Sequence, residues 1–190
     1  MSIARKIATY DDLLALPDHV VGEIIAGELH AQPRPRIRHA RASTALGEEL
    51  GQPYGRGRGG PGGWIFLDEP ELHLGADVLV PDLAGWRNER LPELPDEAYL
   101  ELAPDWVCEV LSPSTERLDR GGKMRVFARE RVGHVWLLNP TLEMLEVYVL
   151  DGQRYSLAQT FEGDASVRAV PFDAIDLDLP VLWGPRRDPR

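Results

Sequence analysis

Several residue types that narrow a reading fastest are scarce in this chain. It has one cysteine, Cys108, in 190 residues, which excludes an internal disulfide and a cysteine-built metal cluster. Cys108 lies in the run Trp106-Val107-Cys108, so a small core residue is expected there, and one lone thiol suits a reducing cytosol. No apolar run approaches the ~20 residues of a membrane helix. The opening Met1-Ser2-Ile3-Ala4-Arg5-Lys6 has no apolar stretch behind its charges, as a secretory signal would. A cytoplasmic location and no membrane partner are therefore expected. Internal repeats and heptads are missing. His30, His39, His73 and His134 are scattered without zinc-ligand spacing, and Ser112 lacks the flanking glycines of a nucleophile elbow. The glycine-rich stretch 55–63 lacks the Gly-Lys-Ser/Thr ending of a phosphate loop, and reads as a flexible connection.

Positive charge is short as well. The formal net charge is -10, which by itself argues against nonspecific nucleic-acid binding, since that binding depends on neutralising phosphates. The charge is unevenly spread, however. Residues 31–58 carry six Arg and two Glu, a net of +4, and the remainder holds 15 basic and 29 acidic residues, a net of -14. Such a basic segment on an acidic body is either a solvated loop or a face turned to a polyanion.

What is present is ordinary for a globular protein: 43% hydrophobic and 27% charged residues. The length suits a single domain over 1–190, with about 9–183 ordered and the tail 184–190 flexible. Thr9 is a fair N-cap for a helix over Tyr10–Leu16, stopped by Pro17. Val20–Ile25 and Glu28–His30 around Ala26-Gly27 predict a hairpin, ended by Pro33 and Pro35. Ala42, Leu46 and Leu50 predict a helix over 38–50. Three extended segments follow: Trp64–Leu67, resuming to Leu74; Asp77–Gly85; and Asp105–Leu111. A helix over Gly122–Val132, a buried strand over His134–Asn139 and a hairpin about Asp151-Gly152 complete the order, before the closing segment Leu177–Trp183. The expectation is a mixed α/β fold: helix, three strands, helix, strand, with a hairpin at each end and a parallel crossover over 105–139.

Two acids stand where acids are costly. Glu109 lies between Cys108 and Val110 in an otherwise apolar strand, and Asp82 directly follows Val78-Leu79-Val80-Pro81. An unpaired carboxylate there costs several kcal/mol, roughly, through desolvation, so each needs a partner, either an arginine or a cation. Two carboxylates on neighbouring strands form a seat for magnesium, which takes one or two carboxylates plus waters and phosphate. A nearby lysine would stabilise developing charge or orient water.

Pro81-Asp82 on one strand and Glu109 twenty-seven positions later on the next resemble the PD-(D/E)xK nuclease superfamily. More specific is the run Pro104-Asp105-Trp106-Val107-Cys108-Glu109-Val110-Leu111-Ser112-Pro113-Ser114-Thr115, then Asp119-Arg120-Gly121-Gly122-Lys123, Phe127-Ala128, and 132–140. With Gly22-Glu23-Ile24-Ile25-Ala26-Gly27-Glu28-Leu29 and His39, it resembles the Uma-type family of restriction endonucleases over about residues 9–183. The resemblance implies a restriction-endonuclease-like core with a mixed central sheet. It also implies Mg2+-dependent hydrolysis of DNA, with Mn2+ as substitute, and a homodimer by analogy. In the parent superfamily the lysine stands two positions after the acid, on the same strand face. Leu111 occupies that slot here, and the resembled family points instead to Lys123, placed in the first turn of its helix.

On this reading Asp82, Glu109 and the Val110 carbonyl hold the metal, and Lys123 assists the attacking water. Glu23 is a third carboxylate or a surface strand residue. Arg34, Arg36, Arg38, Arg56 and Arg58 would hold the backbone. His39 contacts phosphate or is structural; Ser112 binds phosphate or caps a turn; Asp119 pairs with Lys123 or caps its helix. The rival reading is a nuclease fold used only for binding.

Overall fold

The structure, a computed structural model, describes residues 7–184; of the tail expected to be flexible, all but Gly184 lies outside them. Thr9 and Asp12 cap each other reciprocally at the start of α1 (Tyr10–Leu14). This helix stops short of Leu16, whose amide turns back to the Leu13 carbonyl at 3.0 Å. β1 (Val20–Ile25) and β2 (Glu28–Pro33) form the expected hairpin. Its turn residues Ala26 and Gly27 have φ of 53° and 76°, the left-handed pair that matches strand twist. In α2 (Ile37–Leu50) the buried Ala42, Ala45, Leu46 and Leu50 share one face.

A π-helical turn, Gly51–Gly55, extends α2, and the glycine stretch folds back on it rather than hanging free. The Arg58 and Gly62 amides donate to the Gln52 and Pro53 carbonyls, each at 2.9 Å. A Cβ on Gly60 would come within 2.4 Å of Pro53 Cβ and 2.8 Å of its carbonyl oxygen. Glycine is needed here for close packing.

Both long strands expected between residues 64 and 85 are broken, each half joining a different sheet. β3 (Trp64–Asp68) and β6 (Leu83–Arg87) lie in a six-stranded sheet; β4 (Leu72–Leu74) and β5 (Asp77–Leu79) join the hairpin in a four-stranded sheet ordered β2-β1-β5-β4. Pro81 has no amide to give a ladder, and the chain passes from one sheet to the other through Val80-Pro81-Asp82. The six-stranded sheet is ordered β10-β9-β8-β7-β6-β3, with β7 (Trp106–Val110), β8 (His134–Asn139), β9 (Met144–Asp151) and β10 (Arg154–Glu162). The hairpin about Asp151-Gly152 is therefore the continuation of the central sheet. Among the described strands β7 and β8 are the pair that runs parallel, and a single parallel bridge joins Leu72 to Leu100. They are joined by a helical run of α3 (Glu116–Leu118), a π-turn over Asp119–Lys123 and α4 (Met124–Arg129). The run begins before the expected Gly122 and ends before Val132. β11 (Ser166–Val167), β12 (Leu177–Asp178) and α5 (Pro180–Trp183) close the described chain.

Alternation along the strands sends side chains to two cores. Trp106, Cys108, Val110, Trp136 and Leu138 face α2 and the C-terminal segment. There the Phe172 ring lies 4.8–5.6 Å, centroid to centroid, from Tyr54, Trp64, Phe66, Trp106 and Trp136. Val107, Val135 and Leu137 face Val126 and Phe127 of α4, with Ile25, Leu72 and Leu79 of the second sheet. Glu109, two residues beyond Val107, points to this second side, where the two sheets and the helical run converge.

Candidate active site

A cavity of about 500 Å3 opens at that convergence. Glu23, His39, Asp82, Glu109, Asp119 and Lys123 line it, with Arg34, Arg36 and Ser112 also on its walls. Of the other residues expected at the site, Arg38, Arg56 and Val110 do not line it; Val110 is tied to it through its amide, which donates to Asp82. Helical phase explains the first case: Arg36 and His39 stand three residues apart and share a side, whereas Arg38 turns away. Arg56 belongs to the glycine stretch packed on Pro53.

Asp82 stands at the crossing between sheets. Its Oδ2 accepts the Val110 amide at 2.7 Å, one residue beyond the last β6–β7 pair, Leu83 with Cys108. Its Oδ1 lies 3.2 Å from His39 Nε2. Burial works to lower the His39 pKa, but the hydrogen bond and charge of Asp82 outweigh it, so the pKa is raised. His39 Nδ1 is buried without a partner among the described residues.

Lys123 sits about two turns into the helical run from Glu116, not in its first turn, so the unfavourable N-terminal dipole scarcely reaches it. Its ammonium is 2.9 Å from Glu23 Oε1, 3.1 Å from Glu109 Oε2 and 3.4 Å from Asp119 Oδ1. The side chain is 5% exposed. Burial opposes its charge, but Glu109, Glu23 and Asp119 together outweigh burial and raise its pKa well above the ordinary lysine value. Glu23 is equally engaged: Oε1 accepts the Val80 amide at 2.9 Å, and Oε2 faces Gln32 Nε2 at 3.4 Å. It is a buried residue, not a surface strand Glu. Ser112 forms a hydroxyl cluster with Ser114 and Thr115, at 3.0 and 3.1 Å.

Glu109 is the odd member. Its Oε2 faces Lys123, while Oε1 is buried without a partner among the described residues. Burial raises its pKa well above the ordinary carboxylate value; the Lys123 charge opposes this, and Asp119, Asp82 and Glu23 reinforce it. Asp119 is raised too, by burial first. A carboxylate whose folded pKa exceeds its unfolded one favours the fold below the unfolded value, and that stability is lost as pH rises through the folded value. Urea unfolding from pH 5 to pH 8 is therefore expected to show a declining contribution from Glu109, and Glu109→Gln should flatten that decline. An identical pH profile in the variant would refute this account of the cluster.

The donor set accommodates a divalent cation. Three buried acids share one lysine, and the orphaned Glu109 oxygen lies on the same cavity as Asp82. Among the described residues no three His, Cys, Asp or Glu side chains are grouped to hold a metal by themselves. A cation here would take one or two carboxylates from the protein and complete its shell with water and phosphate, a pattern that suits magnesium.

The sequence model of one family, "Uma2: Putative restriction endonuclease", matches residues 8–181. The chain belongs to the Uma2 family. The fold agrees with that membership. The crystal structure of a "putative nuclease belonging to DUF820" from Anabaena variabilis ATCC 29413 superposes with a TM-score of 0.70 at 22% identity, covering 93% of this chain and 97% of that one. No curated protein matches the sequence. This Uma2 chain also has a cavity residue that sequence reasoning passed over. Glu69 lines the cavity with φ of 45°, its amide donating to the Asp82 carbonyl at 3.2 Å. Burial raises its pKa, and Asp68 and Asp82 add to the shift. In sequence it is one acid among Asp68-Glu69-Pro70-Glu71, and nothing in that pattern separates it from a solvated turn.

Proposed function

We propose that this chain is a magnesium-dependent endonuclease that hydrolyses DNA phosphodiester bonds at the cavity between the two sheets. The observation that carries the reading is the buried, unpartnered Glu109 Oε1 beside Asp82, at a cavity walled by Arg34 and Arg36. Asp82 and Glu109 would hold the cation, with Mn2+ as a substitute. When bound, the ion supplies a lowered pKa for its water and polarises a phosphoryl oxygen. The protein's own groups do the positioning. Lys123 fixes the Glu109 carboxylate and lends the cavity positive charge. Glu23 anchors Lys123 and the Val80 corner that delivers Asp82. His39 holds Asp82 from the other side. Arg34 and Arg36 would grip the backbone through bidentate contacts. The working form is proposed as a cytoplasmic homodimer of one-domain subunits, which lets two sites address two strands.

A second reading, a nuclease fold that binds without cutting, is favoured by one observation: the Lys123 ammonium lies within 3.4 Å of three carboxylates. Plasmid nicking separates the two. Supercoiled DNA should be converted to open-circle and linear forms in magnesium, and the conversion should stop in chelator. Full binding with no nicking in either Mg2+ or Mn2+ would establish the second reading instead.

A further inference from the structure

The helical run that directs Asp119 and Lys123 inward directs arginines outward. A second groove, of about 690 Å3, lies between the outer side of α4 and the β9–β10 hairpin. Arg120, Arg125, Arg129, Arg131 and Arg154 line it, and none of its lining residues is acidic. Arg120 is paired with Glu116 and Glu146, and Arg129 with Asp77 and Glu130. Arg131 uses one nitrogen on the Gly152 carbonyl at 2.7 Å. Arg125 and Arg154 are exposed, and neither has an ion pair or side-chain hydrogen bond among the described residues.

Carboxylates outside the groove engage Arg120 and Arg129, so in a chain of net charge -10 the groups left to meet an anion are Arg125, Arg154 and the remaining nitrogens of Arg131, a local positive surface on an acidic body. The guanidinium fork matches phosphate oxygens in a bidentate way. Position points to which phosphate. Thr115 lines the first cavity, and Arg125 lines this groove. Ten residues of helix separate them, about 15 Å, or roughly four base steps at ~3.4 Å each. At that spacing a duplex of a few base steps is long enough to reach both.

We infer that this groove binds the phosphodiester backbone of the same nucleic acid, as a second contact several base steps from the bond to be cut. The inference rests on the nuclease reading, so its test avoids cleavage. Binding of a fluorescent DNA duplex of about 20 base pairs is followed by anisotropy in chelator, across a range of salt, using the full chain. In Arg125→Ala with Arg154→Ala, the slope of log affinity against log salt should be shallower by about 1.8, the value for two lost phosphate contacts. Affinity at low salt should fall by on the order of tenfold. Arg125→Lys with Arg154→Lys should restore most of the slope. An unchanged slope in the alanine pair, alongside a loss in Arg34→Ala with Arg36→Ala, would overturn the groove and leave the nuclease reading standing. If the parent ignores duplex but binds polyglutamate through Arg125 and Arg154, the partner is an acidic protein and the inference is wrong. The nicking assay then decides the nuclease reading separately.

Discussion

Replacing Lys123 with methionine is expected to destabilise the fold by about 3–5 kcal/mol, the usual result of removing one partner from a buried charge cluster. Glu23, Glu109 and Asp119 would then face one another across a buried space without the ammonium that stands among them. For a chain of this size each kcal/mol moves the melting temperature by roughly 2–4 °C, so a fall of roughly 6–20 °C is expected. Adding Glu109→Gln should recover part of the loss, because it removes the acid most displaced toward its neutral form. The two changes are therefore expected to be non-additive. A Lys123→Met protein that melts within a degree of the parent would show that the ammonium is not held among these acids in solution.

Asp82→Asn and Glu109→Gln should each lower cleavage by about 10²–10³-fold or more, on the scale of removing one electrostatic element from a preorganised site. Their effects on stability should differ. Asp82 accepts the Val110 amide and faces His39, so the asparagine variant loses charge-assisted hydrogen bonds and should soften the corner between sheets. Glu109 has one buried oxygen with no partner, so its glutamine variant should be as stable as the parent or more so, while inactive. Opposed movement of activity and stability is the signature of a site kept at the expense of the fold. Calorimetric titration with magnesium supplies the companion measurement: the heat seen with the parent should vanish in both variants. If either variant cuts plasmid at the parental rate, these two acids do not form the reaction centre.

The sequence disclosed most where local and tertiary preferences agree. His134–Asn139 is a continuous apolar run bounded by Gly133 and Pro140, and it is the strand observed. The Asp151-Gly152 turn is equally direct, with Gly152 at φ of 61°. Glu109 was legible because a carboxylate among Val107, Cys108, Val110 and Leu111 is costly in any fold. The break at Val80-Pro81-Asp82 was harder. Both halves of 77–85 have strand character, and the choice of partner sheet is made by packing, not by propensity. The same holds for Lys123. Gly121-Gly122 suggests a helix start, yet a Cβ on Gly122 would come within 3.0 Å of Leu118 and 3.3 Å of Ile25. Glycine is used there for close approach inside a continuing helical run. Arg38 and Arg56 were grouped with Arg36 by composition, and helical phase and loop packing separated them.

Glu23 has a wider consequence than its place at the cavity suggests. One carboxylate oxygen receives both the Val80 amide and the Lys123 ammonium, so a hairpin strand, the inter-sheet corner and the crossover helix meet at a single atom. The proposed reaction centre is thereby also the rivet of the architecture. Any partial opening that peels the smaller sheet from the larger one separates Glu23, on the hairpin, from Lys123, on the crossover helix. A half-assembled molecule emerging from the ribosome would thus carry no cutting edge, and competence would arrive only with the final closure of the two layers.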